Sequence, residues 1–455
     1  MKTPFLSLAL VVASLRLVAA GSSQDYVAHE WGTFTSVQGA DGVLLEWNPL
    51  ETTQLPRFVY NWSKPGLNRR HVSSWGKSTF LTLQRMETPV IYFYGDKEQT
   101  VDVTVRFPQG LITEWYPQAR DIGPSVFPPN KLGATLDGMV KHSGATLPIS
   151  FASMLTKQGI PDSRIHWSNI RVTPATQHED IVRDLPTDSV GNHYFAARET
   201  DSAFVQVESL DKASPGPEHE RFLFYRGVAN FKAPLQVTVT SGSASDIDLS
   251  NTGPSELRHL FVLAVRRGQG KFVYEDRVPQ GEHVNVELKP GKDLLPLKEL
   301  TMRISERMRE SLTAEGLFER EAAAMVKTWR QSWFEEDGLR VFYVLPRAWT
   351  DGILPLTLDP RPRELVRVMV GRAEIITPAT EWELLKQIVR YSENDPQSRR
   401  EAVAGVSDLG LGRFIQPAVQ RVLGRTPDRE FSRTAWELVN AATPKPGNEH
   451  PLAAK

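Results

Sequence analysis

Cysteine is absent from the chain, since none of its 455 residues is one. No disulfide can stabilise the fold, and no lipid can be attached through a cysteine thioether. Such an absence is unusual in an exported protein, because exported domains often use disulfides to offset a limited core. With 51.1 kDa and 40% hydrophobic residues, the chain can form two or three packed domains. We expect the hydrophobic cores of these domains to stabilise the protein.

Apolar runs of membrane-spanning length are absent too, and the most pronounced run lies at the start. Lys2 precedes an apolar stretch at 4–15 and small residues at 18–20, which is the layout of a secretory signal peptide. We expect cleavage after Ala20 and a secreted or periplasmic product. An uncleaved anchor is the alternative, but about a dozen apolar residues fall short of the roughly 20 that span a bilayer. An exported chain of this length without cysteine is typical of bacteria.

The chain has little net charge, because 53 Lys and Arg stand against 54 Asp and Glu. No overall field would attract nucleic acid, and none is expected as a partner. The 11 tryptophans are unevenly placed, with none from 168 to 328. This gap indicates at least two regions of different construction.

Common catalytic signatures are also missing. His29-Glu30 begins like a zinc-protease helix, but no second His follows at the required spacing. Asp246-Ile247-Asp248 alternates oxygen ligands as a calcium loop does, but Asn251 and Leu257 stand where that loop needs Gly and Glu. We therefore predict no metal site and no cofactor, and expect a solvated loop at 241–255.

Short strand patterns separated by turn residues dominate the first 290 residues. Segments 26–37 and 43–47 flank an Asp-Gly turn and predict a hairpin. Segments 89–94, 100–107 and 111–116 predict a three-strand meander. Further candidate strands follow from 165 to 288, including 193–207.

Helical spacing begins after Gly291. Apolar residues at 294–335 recur with helical period, and Gly316 should divide two helices. Strands at 339–345 and 365–376 should complete a sheet begun earlier. Four helices are then predicted at 381–391, 396–406, 413–423 and 429–441.

These patterns predict an α+β fold: a mainly antiparallel, β-sandwich-like body with an inserted helical segment and a small C-terminal HEAT-like helical module. The predicted regions are the signal peptide (1–20), an N-terminal β-rich region (21–164), a sandwich-like region (165–290), a helical segment with returning strands (291–376), the helical module (377–442) and a disordered tail (443–455).

Glu-Trp pairs are the most distinctive local pattern, and they occur at 30–31, 46–47, 114–115 and 381–382. On a strand, each Glu should point to the face opposite its Trp. If the Trp faces a core, Glu30, Glu46 and Glu114 are solvent-facing residues without a further role. If the Glu face forms a cleft, the three carboxylates are weak catalytic candidates for an acid/base pair. Alternatively, Trp31 and Trp115 are exposed and stack on flat ligands.

His29 is a weak ligand-binding candidate on the same segment. It should share a strand face with Trp31, while Glu30 lies on the other face. Adjacent His and Glu on a strand therefore cannot chelate one metal without a bulge. A buried, hydrogen-bonded His is the favoured interpretation.

Three segments carry a family resemblance: HEWGTFTSV at 29–37, TWRQSWFEEDGLRVFYVLPR at 328–347 and ELVRVMVGRAEII at 364–376. Together they resemble a family of exported bacterial proteins of unknown function. The matching segments lie near both ends of the mature chain. The resemblance therefore implies one integral unit, and it supplies no catalytic residue.

Two functions remain open. The first is an extracytoplasmic binding or structural protein whose partner is another protein or an envelope polymer. The alternative is a hydrolase of such polymers that uses Glu30, Glu46 or Glu114. A weaker third hypothesis is a metal enzyme with ligands drawn from His29, His71, His142 and nearby carboxylates.

Overall fold

The structure is a computed structural model of the chain. It describes residues 24–48, 55–61, 80–123, 149–150, 163–176, 181–189, 192–209, 216–240, 246–288, 293–393, 395–425 and 428–443. The predicted signal peptide, nearly all of the predicted tail, His71 and His142 lie outside these residues.

The strands are numbered in chain order. They are β1 (Gln24–Gly39), β2 (Leu44–Leu45), β3 (Tyr60–Asn61), β4 (Phe80–Leu81), β5 (Gln84–Tyr94), β6 (Gln99–Phe107), β7 (Gly110–Tyr116), β8 (Asp121–Gly123), β9 (Ile149–Ser150), β10 (Ser163–Thr173), β11 (Phe204–Glu208), β12 (Pro217–Glu220), β13 (Leu223–Ala229), β14 (Leu235–Val239), β15 (Asp246–Asn251), β16 (Leu257–Arg266), β17 (Gln269–Val278), β18 (His283–Glu287), β19 (Leu295–Pro296), β20 (Gly338–Val344), β21 (Leu356–Asp359) and β22 (Pro362–Ile376).

The α-helices are numbered in the same way. They are α1 (Ile181–Asp184), α2 (Asn192–Ala196), α3 (Leu297–Ala314), α4 (Glu319–Arg330), α5 (Arg347–Ile353), α6 (Pro378–Ser392), α7 (Pro396–Ser407), α8 (Ile415–Arg425) and α9 (Arg429–Ala442). A π-helix at Gln331–Glu335 continues α4, and a 3-10 turn at Gly412–Phe414 precedes α8. No helix in the described ranges is long and apolar enough to cross a membrane.

The largest sheet has 11 strands in the order β19-β17-β16-β20-β22-β1-β5-β13-β7-β3, with β2 paired to β1. β1 is central: it pairs in parallel with β22 and antiparallel with β5. Every residue of β1 from 26 to 39 is buried, so both faces of the sheet are covered there. The fold is α+β with mostly antiparallel sheets, as the sequence predicts.

One face of the large sheet, which we call the sheet side, packs against further strands. A six-stranded sheet, β12-β11-β10-β6-β21 with β8, and a three-stranded sheet, β14-β15-β18, contribute to this core. Phe34 and Trp115 of the large sheet share one buried cluster with Val103, Trp167 and Leu249. This burial of large apolar side chains from all three sheets stabilises the body.

The opposite face, which we call the helix side, is covered by α3, α4 and the π-helix. Met308, Met325 and Trp333 of these helices pack with Trp31 and Val368 of the sheet. Gly316 separates α3 from α4 at φ 105°, a backbone conformation that favours glycine. The predicted division of this helical segment is confirmed.

The four C-terminal helices form the helical module, whose own core also includes Val37 and Trp47 of the body. Thr377, Asp395 and Asp428 cap α6, α7 and α9 by accepting hydrogen bonds from backbone amides, as short polar side chains do at helix starts. All four helices lie close to their predicted positions. The module is docked on the body where the Trp47 ring lies 5.4 Å from that of Phe414.

Several predicted elements are confirmed and others are wrong. The hairpin of β1 and β2 and the return of β20 and β22 to an earlier sheet are confirmed. The meander is wrong, because β13 lies between β5 and β7 while β6 belongs to the six-stranded sheet. The loop at 241–255 is wrong in part, since β15 is the middle strand of its sheet. The strand at 193–207 is a helix over its first residues.

Candidate functional site

A row of charged side chains, interrupted by two threonines, crosses the helix side of the large sheet. Strand alternation places residues two apart on one face, and cross-strand pairing joins them: Arg340 lies opposite Glu374, Thr35 lies between Arg372 and Arg85, and Arg226 lies opposite Glu114. We call this set the charged row. Its members, from β20 to β7, are Arg340, Glu374, Arg372, Thr35, Thr33, Arg85, Glu87, Arg226 and Glu114.

A local irregularity in β5 sets the direction of Glu87. Thr88 has φ 47°, which is rare for a β-branched residue and costs free energy. The pairing of β1 with β5 shifts register at this point, between Trp31 and Thr33. In a regular strand, residues three apart point to opposite faces. The bulge changes this, so that both Glu87 and Val90 face the helix side.

The two ends of the charged row are well paired. At one end, Arg340 Nε donates to Glu374 Oε2 at 3.0 Å, and Arg372 Nη2 donates to the same oxygen at 2.9 Å. At the other, Arg226 donates to both oxygens of Glu114, at 2.9 and 3.1 Å. Such bidentate arginine–carboxylate pairs are strong and fix the orientation of both groups.

The π-helix brings a main-chain carbonyl onto the first end of the row, and Glu336, which follows it, adds a carboxylate. Arg340 Nη1 donates to the carbonyl of Trp333 at 3.1 Å, and Arg372 Nη2 donates to Glu336 Oε2 at 3.1 Å. π-Helical turns are rare and often occur at functional sites. This turn, the strained Thr88 and the charged row lie on the same side of the sheet.

The centre of the row is Glu87, which three arginines surround. Arg413 Nη1, from the 3-10 turn of the helical module, donates to Glu87 Oε1 at 2.6 Å. Arg85 Nε lies 3.5 Å from the same oxygen. Burial alone would raise the pKa of Glu87, but Arg413, Arg85 and Arg372 outweigh it and lower that pKa to about 2. The carboxylate is therefore ionised although it is 1% exposed.

Several buried polar atoms around Glu87 have no hydrogen-bond partner in the part of the chain that the structure describes. They are Nε and Nη1 of Arg85, Nε and Nη1 of Arg372, Nε and Nη2 of Arg413, Oε2 of Glu87, and the hydroxyls of Thr33, Thr35 and Thr88. We call these seven residues the Glu87 cluster. Each buried group left unpaired costs roughly 1–3 kcal/mol, and charged groups cost more. Native proteins leave few such groups, so a concentration of them indicates water or a ligand.

Burial and charge shift other groups near the cluster. Burial lowers the pKa of Arg85, and Arg226 and Arg413 lower it further. Burial also lowers the pKa of His193, which with the positive charges of Arg226 and Arg85 brings it to about 4. Both directions report a buried environment with excess positive charge.

Aromatic rings support the arginines on the module side. The guanidinium of Arg413 lies 5.0 Å from the ring centroid of Phe414 and 5.7 Å from that of Trp47. The guanidinium of Arg372 lies 5.2 Å from Phe414. These cation–π contacts hold two of the cluster's arginines against the core of the helical module.

The structure does not bring Glu30 and Glu114 together. Glu30 is fully buried on the sheet side, where Arg367 Nε donates to it at 2.5 Å and the Tyr225 hydroxyl donates to its other oxygen. Glu114 lies on the helix side in the charged row. Glu46 is half-buried beside the helical module. The carboxylates of Glu30 and Glu114 are thus separated by the sheet itself, and each is paired with an arginine.

The remaining sequence candidates are buried. His29 Nδ1 lies 2.6 Å from Glu321 Oε2 of α4, and the His29 ring is 4.4 Å from that of Phe318. Trp31 belongs to the helix-side core and Trp115 to the sheet-side core, at 0% and 1% exposure. Neither tryptophan is placed to stack on a ligand at the surface. No group of three or more metal-ligating side chains occurs among the described residues.

Sequence reasoning missed the Glu87 cluster. A signal was present, because Arg85 with Glu87 and Arg372 with Glu374 alternate with apolar residues in strands that otherwise read as buried. Ionised side chains are rarely buried without partners. Thr33 and Thr35 lie in the same HEWGTFT segment as His29. They belong to the cluster because β22 and β5 flank β1, and the sequence does not indicate which strands these are.

Comparisons with known proteins add little. No family model matches this chain, and no curated protein is significantly similar to it in sequence. One similar solved structure is the yeast delta-COP-I mu-homology domain complexed with Dsl1 WxWxV peptide, which is 8% identical. The match covers 77% of this chain and 96% of that chain, with a TM-score of 0.24. A likeness at this level carries no argument about fold or function.

Proposed function

We propose that this chain is an exported bacterial binding protein that holds a small polar ligand at the Glu87 cluster. One observation carries the proposal: buried hydrogen-bonding atoms of Arg85, Arg372 and Arg413 lack partners in the described part of the chain. Those atoms are costly without a ligand. A ligand that supplies the missing hydrogen bonds stabilises the native state by mass action.

We also propose a location for the protein and an arrangement of its two parts. The signal-like segment at 1–20 directs the chain out of the cytoplasm. Outside, a β-sandwich-like body carries the charged row, and a HEAT-like helical module packs over one end of it. The pairing of Arg413 with Glu87 supports a joint role for body and module.

The placement of the carboxylates gives the hydrolase alternative no support. A paired mechanism needs two carboxyl groups within roughly 9.5 Å on either side of one bond. Glu30 and Glu114 occupy opposite faces of the sheet, and Arg367 and Arg226 occupy their oxygens.

Three measurements test the proposal. Expression of the full chain in a bacterium should yield an extracytoplasmic product shortened by 20 residues, as intact mass would show. The mature protein should gain thermal stability with at least one member of a panel of neutral sugars, sugar acids, amino acids and short peptides. A crystal structure of the protein with that compound should show it at Glu87.

The following results would overturn the proposed function. If no compound shifts the melting temperature, native mass spectrometry finds no co-purified ligand, and an experimental structure fills the cluster with ordered water alone, the binding function is lost. Retention of the product in the cytoplasm would overturn the proposed location independently of the ligand.

A further inference from the structure

We infer that the ligand of the Glu87 cluster presents an oxyanion, a carboxylate or phosphate group, to Arg85, Arg372 and Arg413. This inference rests on the proposed function and specifies its ligand class. It follows from the balance of donors and acceptors, from the charge of the row, and from the identity of the cations.

Donors exceed acceptors in the cluster. Six guanidinium nitrogens lack a hydrogen-bond partner within the described ranges, against a single carboxylate oxygen, Glu87 Oε2. A guanidinium can only donate, whereas the hydroxyls of Thr33, Thr35 and Thr88 can donate or accept. The group that completes the site must therefore be rich in acceptors. A carboxylate or phosphate meets this need better than a neutral hydroxyl or an ammonium group.

The net positive charge around Glu87 also favours an anionic ligand. Around Glu87, the nearest ionised groups that shift its pKa are Arg413, Arg85 and Arg372. Arg372 is also shared with Glu374 and Glu336, which neutralise it in part. Among the residues that the structure describes in the row and against it, five arginines stand against four glutamates (Glu87, Glu114, Glu336 and Glu374). An uncompensated positive charge in a buried site is costly, and one bound anion removes that cost.

The cations are all arginines, which matters for the ligand. A planar guanidinium donates two parallel hydrogen bonds to a carboxylate or phosphate, whereas an ammonium acts as a point charge. Arg85 and Arg372 flank Thr35 on the two neighbouring strands, so their Cα atoms are about 10 Å apart at ordinary strand spacing. Arginine side chains of that separation can grip one anion from both sides.

Arg413 gives the site a link to solvent. Its side chain is 13% exposed, whereas those of Arg85 and Glu87 are 2% exposed. Arg413 therefore forms the outer wall of the cluster, and the helical module supplies it. An anion that enters past the module would meet Arg413 first.

The experiment measures binding of four probes to the mature protein by calorimetry and thermal shift: sodium glucuronate, sodium acetate, potassium phosphate and glucose. Glucuronate differs from glucose by its carboxylate and so tests the charge at nearly constant shape. We expect saturable binding of at least one oxyanion and at least ten-fold weaker binding of glucose. Glucuronate or acetate without phosphate assigns a carboxylate source, and phosphate alone assigns a phosphate source.

Variants locate the site. Arg413→Gln should weaken oxyanion binding at least ten-fold. Arg433→Gln is the matched control, because Arg433 also lies on the module, where its side chain is 69% exposed and pairs with Glu430 and Glu437 of its own helix, and it should change affinity less than two-fold. If Arg413→Gln does not fold, Arg413→Lys keeps the charge but loses the planar fork, and it should still weaken binding.

Three results would overturn the inference. Equal binding of glucose and glucuronate would leave a binding protein whose ligand is neutral. Equal loss of affinity in the Arg413 and Arg433 variants would place the anion elsewhere. Binding of no probe by a protein whose cluster holds only ordered water in an experimental structure would end both this inference and the proposed function.

Discussion

Arg413 Nη1 lies 2.6 Å from Glu87 Oε1, although 326 positions separate the two residues along the chain. Glu87 belongs to β5 in the middle of the large sheet, and Arg413 belongs to the turn that opens α8 of the helical module. The module therefore supplies one of the three arginines around a carboxylate of the body. Neither part contains the complete cluster, which agrees with one integral unit.

Replacement of Glu87 by Gln should strongly destabilise the protein. The change leaves Arg85 and Arg413 buried without their shared carboxylate, and breaking a buried ion pair typically costs about 3–5 kcal/mol. Urea unfolding of the purified protein measures this loss. Glu306→Gln removes an exposed glutamate that pairs with Arg309 on α3, and it should change the free energy of unfolding by less than about 0.5 kcal/mol. Similar effects of the two changes would contradict the assigned role of Glu87.

Acidification should destabilise the protein in two steps. The pKa of His193 falls from 6.5 to about 4 on folding, because burial and the charges of Arg226 and Arg85 disfavour its protonated form. The unfolded state then binds the proton more readily between these values, so stability is full above pH 6.5 and falls as the pH drops. For Glu87, with a folded pKa of about 2 against 4.5, a further loss begins near pH 4.5.

Unfolding free energies at pH 7, 6, 5 and 4.5 test the first step. The contribution of His193 amounts to at most roughly 3 kcal/mol over its window. His193→Gln should flatten the slope between pH 6.5 and 4.5. The control His283→Gln alters a histidine whose side chain is 69% exposed, and it should leave most of the slope. A slope unchanged by His193→Gln would assign the acid sensitivity to other groups.

Local structure was largely predictable from the sequence, whereas strand pairing was not. The strands β1 and β22 and the four module helices follow from periodicity and capping residues. The partner of β5 does not, because alternation indicates which face a residue occupies and not which strand lies beside it, and β13 takes the place beside β5 that the meander gave to β6. The strand β15 was hidden by its Asp and Ser residues, although Ile247 and Leu249 alternate into the core.

The candidate site was predictable only in part. Alternation correctly placed Glu30 and Trp31 on opposite faces. It could not show that both faces of the sheet are covered, nor that Trp31 and Trp115 face different cores and so separate Glu30 from Glu114. Arg413 joins the cluster through tertiary packing alone, which no local pattern encodes.

Gly39 should contribute to the docking of the module. A Cβ atom at this position would lie 2.2 Å from Arg421 Nη1 and 2.6 Å from Asp41 Oδ1. The end of the Arg421 side chain must therefore shift away from Asp41 in Gly39→Ala, and we expect a loss of about 1 kcal/mol. Thermal unfolding and the rate of proteolytic release of the module measure it.

Gly424→Ala is the matched control for docking. Gly424 lies in α8 near Arg421, but a Cβ atom added to it would meet no described atom within 4 Å apart from its chain neighbours and the backbone of its own helix. Alanine is the better helix former, so this change should be neutral or stabilising by up to about 1 kcal/mol. If both alanines gave the same result, the contact between Gly39 and Arg421 would not hold the module.

Thr88 should carry strain that serves the cluster. Its φ of 47° is unfavourable for a β-branched residue, whereas glycine adopts it without a steric penalty. Thr88→Gly should therefore stabilise the protein or leave it unchanged, within about 1 kcal/mol, and weaken oxyanion binding because a hydroxyl of the cluster is lost. Thr100→Gly, in the regular strand β6 at an exposed position, should cost about 1 kcal/mol because glycine weakens a strand interior. A larger loss at Thr88 than at Thr100 would show that removing the Thr88 side chain relieves no strain and that this side chain contributes to packing instead.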